Sequence, residues 1–382
     1  MDNSCSATCL RDIWHFLDRA QGRQARRRAW WVWLLVVVAG LVPALPSQAQ
    51  FAYVANGGGS NNVSAYQIGE RGELVPIAGS PFAAGNLPAS VAVNSAGTFL
   101  YVVNEASNNI SGYSVDENGS LTPVPSSPFP TGTDPHEIAV EVTGRFAYVV
   151  NAVDNSVSGY RIGGRGELAP LPGSPFAAGA FPRSVAIDPA GKFVYVANQV
   201  GNNVSVFRIG ENGSLAPIAG SPFPAGIGPI SVAISPTDAF VYVVNEGSGN
   251  VSAYRVGKDG SLLLVAGSPF AAGSDPVDVA VHPSGRFAYV ANQVSHDVSG
   301  FRVLESGGLS PLPGSPYQAG KESVALAADP AGKFLYVTSK FSHNIPAFHI
   351  AEDGTLTPVT GSPFPSGTGP NSVAIKPAVN SP

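Results

Sequence analysis

Pro182-Arg-Ser-Val-Ala-Ile-Asp-Pro-Ala-Gly-Lys-Phe-Val-Tyr-Val-Ala-Asn198 joins two short apolar runs through a Gly-containing turn and stops on asparagine. The SVAI run is short and β-branched, as expected of a strand covered on both faces. The Phe-x-Tyr-Val run reads as a second strand, reached through the Ala190-Gly191 turn. The same pattern then recurs along the chain. Its tyrosine falls at Tyr53, Tyr101, Tyr148, Tyr195, Tyr242 and Tyr289, with a degenerate copy, YVTS, at Tyr336. The spacing is 48 once and 47 five times, and repetition at a fixed period decides the fold before any single element does.

Two more strands complete the unit. The run Val63–Ile68, VSAYQI, alternates small or polar residues with large apolar ones. Turns such as Glu117-Asn118-Gly119, Glu211-Asn212-Gly213 and Lys258-Asp259-Gly260 put glycine where a hairpin needs a left-handed residue. A fourth strand of the GELVPI kind follows and ends in Gly-Ser-Pro-Phe, whose aromatic is placed to wedge between neighbouring units. Four antiparallel strands with a period near 47 residues describe a propeller blade. The expected fold is therefore all-β, a seven-bladed β-propeller filling residues 50–382 with no second domain. The repeats open at a second strand, Phe51–Asn56, and close on an extra first strand, Pro370–Ile375, so pairing these two would close the ring. A linear solenoid would need polar capping repeats, which the sequence lacks.

Residues 1–49 have a different character. Arg23–Arg28 is basic, Ala29–Leu45 is largely apolar, and Pro46-Ser-Gln-Ala49 offers small residues before Gln50, a signal-peptide pattern with cleavage after residue 49. Uncleaved, the seventeen-residue run approaches the length of a membrane anchor, although Pro43 and Pro46 interrupt it. An exported protein is expected, periplasmic, envelope-bound or secreted, touching a membrane only through this leader. Both cysteines, Cys5 and Cys9, lie in the leader, leaving the mature chain without a disulfide or thiolate chemistry. The leader's six Arg and three Asp leave 15 basic and 23 acidic residues, a net charge of −8. An acidic chain without basic stripes argues against nucleic acid as a partner. A monomer without cofactor or metal is expected.

The repeated YVxN followed by NxVSxY resembles the YVTN-repeat β-propellers, and the wider unit resembles the lactonase-type seven-bladed propellers, which include 6-phosphogluconolactonase and the carboxymuconate cyclases. The resemblance covers residues 50–382 and implies the fold far more specifically than the activity. With strands running outward, the entry to each first strand and the exit from each second strand share the funnel face. Around the ring, the residue after the first-strand entry reads Ala89, His136, Arg183, Ile230, Val277, Val324 and Asn371. The residue after Y-V-x-N reads Gly57, Glu105, Ala152, Gln199, Glu246, Gln293 and Lys340.

The lactonase-type pattern has Pro-His at one blade, Pro-Arg-His at the next with a Glu after that blade's Asn, and an Arg after the following Asn. His136 and Arg183 match, so the resemblance implies them as candidate catalytic groups, imidazole as base and guanidinium as anion clamp. Ser184, Gln199 and Glu246 stand where His, Glu and Arg belong. Gln199 cannot exchange protons near neutral pH, and Glu246 repels a phosphorylated or polycarboxylate substrate. Glu105, Gln199, Glu246 and Asn371 remain as candidate ligand contacts on the funnel face. Of the other histidines, His282 reads as a solvated turn residue and His349 as a surface residue. His296 and His343 share a loop position on adjacent blades and invite a metal reading that lacks a third ligand.

Two functions follow. One is binding of a small molecule, glycan or protein in the funnel, as a scaffold would. The other is a lactone hydrolase or cyclase working through His136 and Arg183. A carboxylate within hydrogen-bond reach of that pair favours the second.

Overall fold

The computed structural model describes residues 50–376, so the leader read at residues 1–49 lies outside the described residues. Among the described residues every regular element is a strand, and no helix is long and apolar enough to cross a membrane.

The strands form seven sheets. In blade four, Pro182–Ile187 is innermost, followed outward by Phe193–Asn198, Asn203–Ile209 and Leu215–Pro217, all antiparallel. The expected four strands are joined by a two-residue fifth, Phe223–Pro224, which pairs with the start of the third strand while Leu215–Pro217 pairs with its end. The Ser-Pro-Phe element thus extends the outer edge as well as stopping it. Its serine fills the gap between the two outer pieces: Ser221 Oγ accepts the Val206 N–H at 2.9 Å, and the equivalent serine does the same in all seven blades. In blade seven the third strand is broken into Asn344–Ile345 and Ala347–Ile350 around Pro346, which has no N–H for the ladder.

The ring closes as expected. Pro370–Lys376 supplies the inner strand of blade one, paired antiparallel with Gln50–Asn56 from Phe51↔Lys376 to Asn56↔Pro370.

The core is divided into seven clusters, each shared by two neighbouring blades; Tyr53 and Val63 of blade one, for example, pack with Val91, Leu100 and Tyr113 of blade two, and Phe82 wedges against them. Each YVxN tyrosine is buried, and all but Tyr195 donate a hydrogen bond to the hairpin glycine of the next blade, as Tyr148 does to Gly213 O at 2.7 Å. That glycine has two reasons to be glycine. Gly213 has φ of +86°, and a Cβ there would lie 2.6 Å from the Phe146 ring of the preceding blade. The repeat is thus written as much for contacts between blades as within them.

Candidate functional site

Each inner strand carries a bulge just after its first residue; Pro182 pairs with Asn198, but Ser184 already pairs with Ala197. The same shift occurs in all seven blades. A bulge sets two residues against one and re-aims their side chains. Consequently both residues after the entry, not one, line the funnel, a cavity of about 240 Å³ reached also by Glu105, Gln293 and Lys340.

The residue before each entry is left-handed in every blade, from Leu87 at φ +54° to Gly369 at +60°. Non-glycine residues tolerate this only when their surroundings over-determine it. Here the carbonyl of Asp134 accepts the Ala152 N–H, and its own N–H donates to Asn108 Oδ1 of the preceding blade. This clamp turns the Asp134 side chain toward His136.

His136 and Arg183, on adjacent blades, meet: Arg183 Nη1 is 3.0 Å from His136 Nε2. Asp134 Oδ2 lies 3.3 Å from the same Nε2, and Glu105 Oε2 lies 3.8 Å from Nδ1. Phe181, with its ring 6.2 Å from the imidazole and 5.9 Å from the guanidinium carbon, backs both groups. Burial first, and the guanidinium second, push the His136 pKa down to about 4, against the pull of Asp134. The ring is therefore neutral at physiological pH, its Nε2 lone pair accepting from Arg183 and its Nδ1–H turned toward Glu105. Burial lowers the Arg183 pKa too, opposed by Glu105, Glu246 and Asp134. Burial and Asp134 raise Glu105, with Arg183 and Lys340 opposing. Glu105, Asp134 and His136 offer ligand atoms within 4.8 Å of one another, but a metal ion there would share Nε2 with a guanidinium. The arrangement suits a polar organic group better than a cation.

The remaining expected residues divide. Gln199 Nε2 donates to Glu246 Oε2 at 2.6 Å, so these two engage each other across blades four and five. Asn371 lines the funnel, yet its amide nitrogen is committed to Pro88 O at 2.9 Å and braces blade two. His282, expected as solvated, is 9% exposed and bonded to Ser284 Oγ and Gly332 O, because the ring reaches the next blade's turn. Among the described residues, His296 and His343 join no cluster of three metal-ligating side chains. Their Nδ1 atoms accept from Glu322 and Gly369 N–H, the task that Asn61, Asn108, Asn155 and Asn202 perform elsewhere. His349 is exposed, as expected.

Below the His136–Arg183 layer runs a second ring, Ser90, Glu137, Ser184, Ser231, Asp278, Ala325 and Ser372, which the one-residue-per-blade reading missed. Several of these clasp the next blade's amide, as Glu137 Oε2 does Val185 N–H at 2.8 Å and Asp278 Oδ2 does Leu326 N–H at 2.9 Å. Burial raises both carboxyls, Glu137 to about 7. The signal was present: serine is the usual residue at this position, and two acids interrupt it. A larger groove of about 720 Å³ runs beside His282 and His349 on the opposite face, without a paired base and guanidinium, so the funnel is the candidate site.

The comparisons agree with this architecture. A candidate 6-phosphogluconolactonase of Bacteroides fragilis superposes with a TM-score of 0.77 at 21% identity, covering 87% of this chain and 99% of its own. A candidate 6-phosphogluconolactonase of Bacteroides uniformis gives 0.77 at 22%, covering 86% and 99%. The periplasmic gluconolactonase of Pseudomonas aeruginosa gives 0.73 at 19%, covering 87% and 99%. At these identities the likeness is one of fold. No curated protein matches the sequence significantly. The family described as Lactonase, 7-bladed beta-propeller matches residues 54–227 and 226–379, nearly the whole ring, and the chain belongs to it.

Proposed function

We propose that this propeller hydrolyses an uncharged lactone in its funnel. The observation that carries the reading is the His136–Arg183 contact with Asp134 beside it, the carboxylate that separates a catalytic pair from two isolated rim residues. In the free protein the guanidinium occupies the imidazole's lone pair. A lactone carbonyl entering the funnel offers Arg183 a better-placed oxygen, and the guanidinium's shift to it frees Nε2. Water then attacks the carbonyl carbon, its proton passes to Nε2, and the oxyanion is held by Arg183. Asp134 stabilises the imidazolium. Collapse breaks the ring C–O bond, the leaving alkoxide takes the proton from Nε2, and a hydroxy acid is released.

The charge balance supports an uncharged substrate. Glu105, Asp134 and Glu246 already surround Arg183, so a phosphate or second carboxylate meets net negative potential. The leader read in the sequence would place this activity outside the cytoplasm. A second reading, binding without turnover, draws on Gln199 and Glu246, which pair with each other where the lactonase-type pattern has Glu and Arg. Hydrolysis of an uncharged lactone by the purified protein, lost in His136→Gln, tests the first against the second.

A further inference from the structure

Continuing around the funnel from His136 and Arg183, the next three blades present apolar side chains at the same ring position: Ile230, Val277 and Val324. All three are half-buried, with a face left open to the cavity. The same three blades carry exposed apolar residues on their funnel-face loops: Ile227 is 64% exposed, Val294 61% and Phe341 69%. At the loop position of Val294 and Phe341, blades three and four carry Val153 and Val200, also exposed, while blades one, two and five carry Gly58, Ala106 and Gly247. Exposed apolar residues thus sit around much of the rim, whereas inside the funnel the large apolar side chains are confined to blades five to seven, next to Val294 and Phe341 on the rim of the last two. Single exposed apolar side chains are ordinary on a protein surface, but contiguous apolar side chains lining a cavity mark a ligand-binding groove.

We propose that this wall receives an aliphatic arm on the substrate, so that the protein acts on lactones bearing an alkyl or acyl chain, the ring at His136–Arg183 and the chain over Ile230, Val277 and Val324 toward Phe341. The inference rests on the lactone reading of the polar pair. Continuity with that pair identifies the occupant: a cavity of about 240 Å³ holds a small lactone ring with the first carbons of a chain, and further carbons must leave along the rim. An anionic or fully hydroxylated ligand would leave the wall unused and its apolar surface wet.

The test is a homologous series of γ-lactones, from γ-butyrolactone to γ-dodecalactone, offered to the purified full-length protein. The inference expects kcat/KM to rise about two- to four-fold per methylene over the first several carbons. The ratio of long-chain to short-chain kcat/KM should fall about ten-fold in Val277→Thr and several-fold in Phe341→Ser, whose exposed position keeps folding out of the question. A rate independent of chain length, or a ratio unmoved by both substitutions, overturns the inference. If no lactone is opened, the hydrolase reading fails by itself, and calorimetric binding of the same series decides the wall: affinity rising with chain length supports it, and affinity flat with chain length overturns it.

Discussion

Arg183 reaches from blade four to place its Nη1 3.0 Å from Nε2 of His136 on blade three, while Asp134 lies 3.3 Å from the same nitrogen. An imidazole held between a guanidinium and a carboxylate is a base in reserve, neutral but occupied. We predict that the His136 imidazole titrates near pH 4 by NMR. In Arg183→Gln its pKa moves up toward the ordinary histidine range of about 6.5, though not all the way, since burial is the larger cause. Because the active form is the neutral ring, activity should hold as pH falls to about 5. A His136 that titrates at its ordinary value in the wild type would show that the pair is solvated.

The funnel's second ring predicts an unusual pH dependence of stability. Glu137 is raised to about 7 in the folded protein, so its protonated form favours folding. That contribution is fully present below the unfolded carboxyl pKa of about 4.3 and is lost as pH rises through about 7, an effect of about 3 to 4 kcal/mol. Glu137→Gln keeps an acceptor oxygen for Val185 N–H and removes the titration. Urea midpoints measured from pH 5 to 8 should therefore favour the variant increasingly as pH rises. A difference independent of pH would mean that the carboxyl is not held in this environment.

Contacts between blades offer a comparison internal to the molecule. Tyr148→Phe removes a buried hydrogen bond to Gly213 O and should cost about 1 kcal/mol. Tyr195 occupies the equivalent place one blade on, but its hydroxyl is buried without a partner among the described residues. Tyr195→Phe should be neutral or mildly stabilising. Equal losses by chemical denaturation at the two sites would contradict the distinction.

The ring was legible because its rules are local and repeated. A strand ends at the same asparagine, a hairpin turns on the same glycine, and the orphan strand at Pro370 has one place to go. The site was legible only where it departs from the repeat at a position already known to face the funnel, as His136 and Arg183 do. Asp134 escaped notice because the residue before each entry varies freely, Leu87, Asp134, Phe181, Gly228, and only its left-handed backbone aims it at the neighbouring imidazole. Glu137 as a funnel residue of the second ring, and Asp278 with it, depended on a bulge that alternation along a strand does not announce. His282 misled for the opposite reason. Asn94 and Asp188 cap their own turns at the equivalent position, whereas the longer imidazole crosses to Gly332 and is buried by doing so.

The central claim is that His136 and Arg183 together open an uncharged lactone. The most direct measurement is the hydrolysis rate of γ-lactones by the purified protein beside His136→Ala and Arg183→Ala. The account predicts turnover in the wild type, a loss of about 10²- to 10⁴-fold in His136→Ala and about 10²- to 10³-fold in Arg183→Ala, with both variants folded. Turnover that survives both substitutions would contradict the site, and a wild type that opens no lactone would contradict the activity.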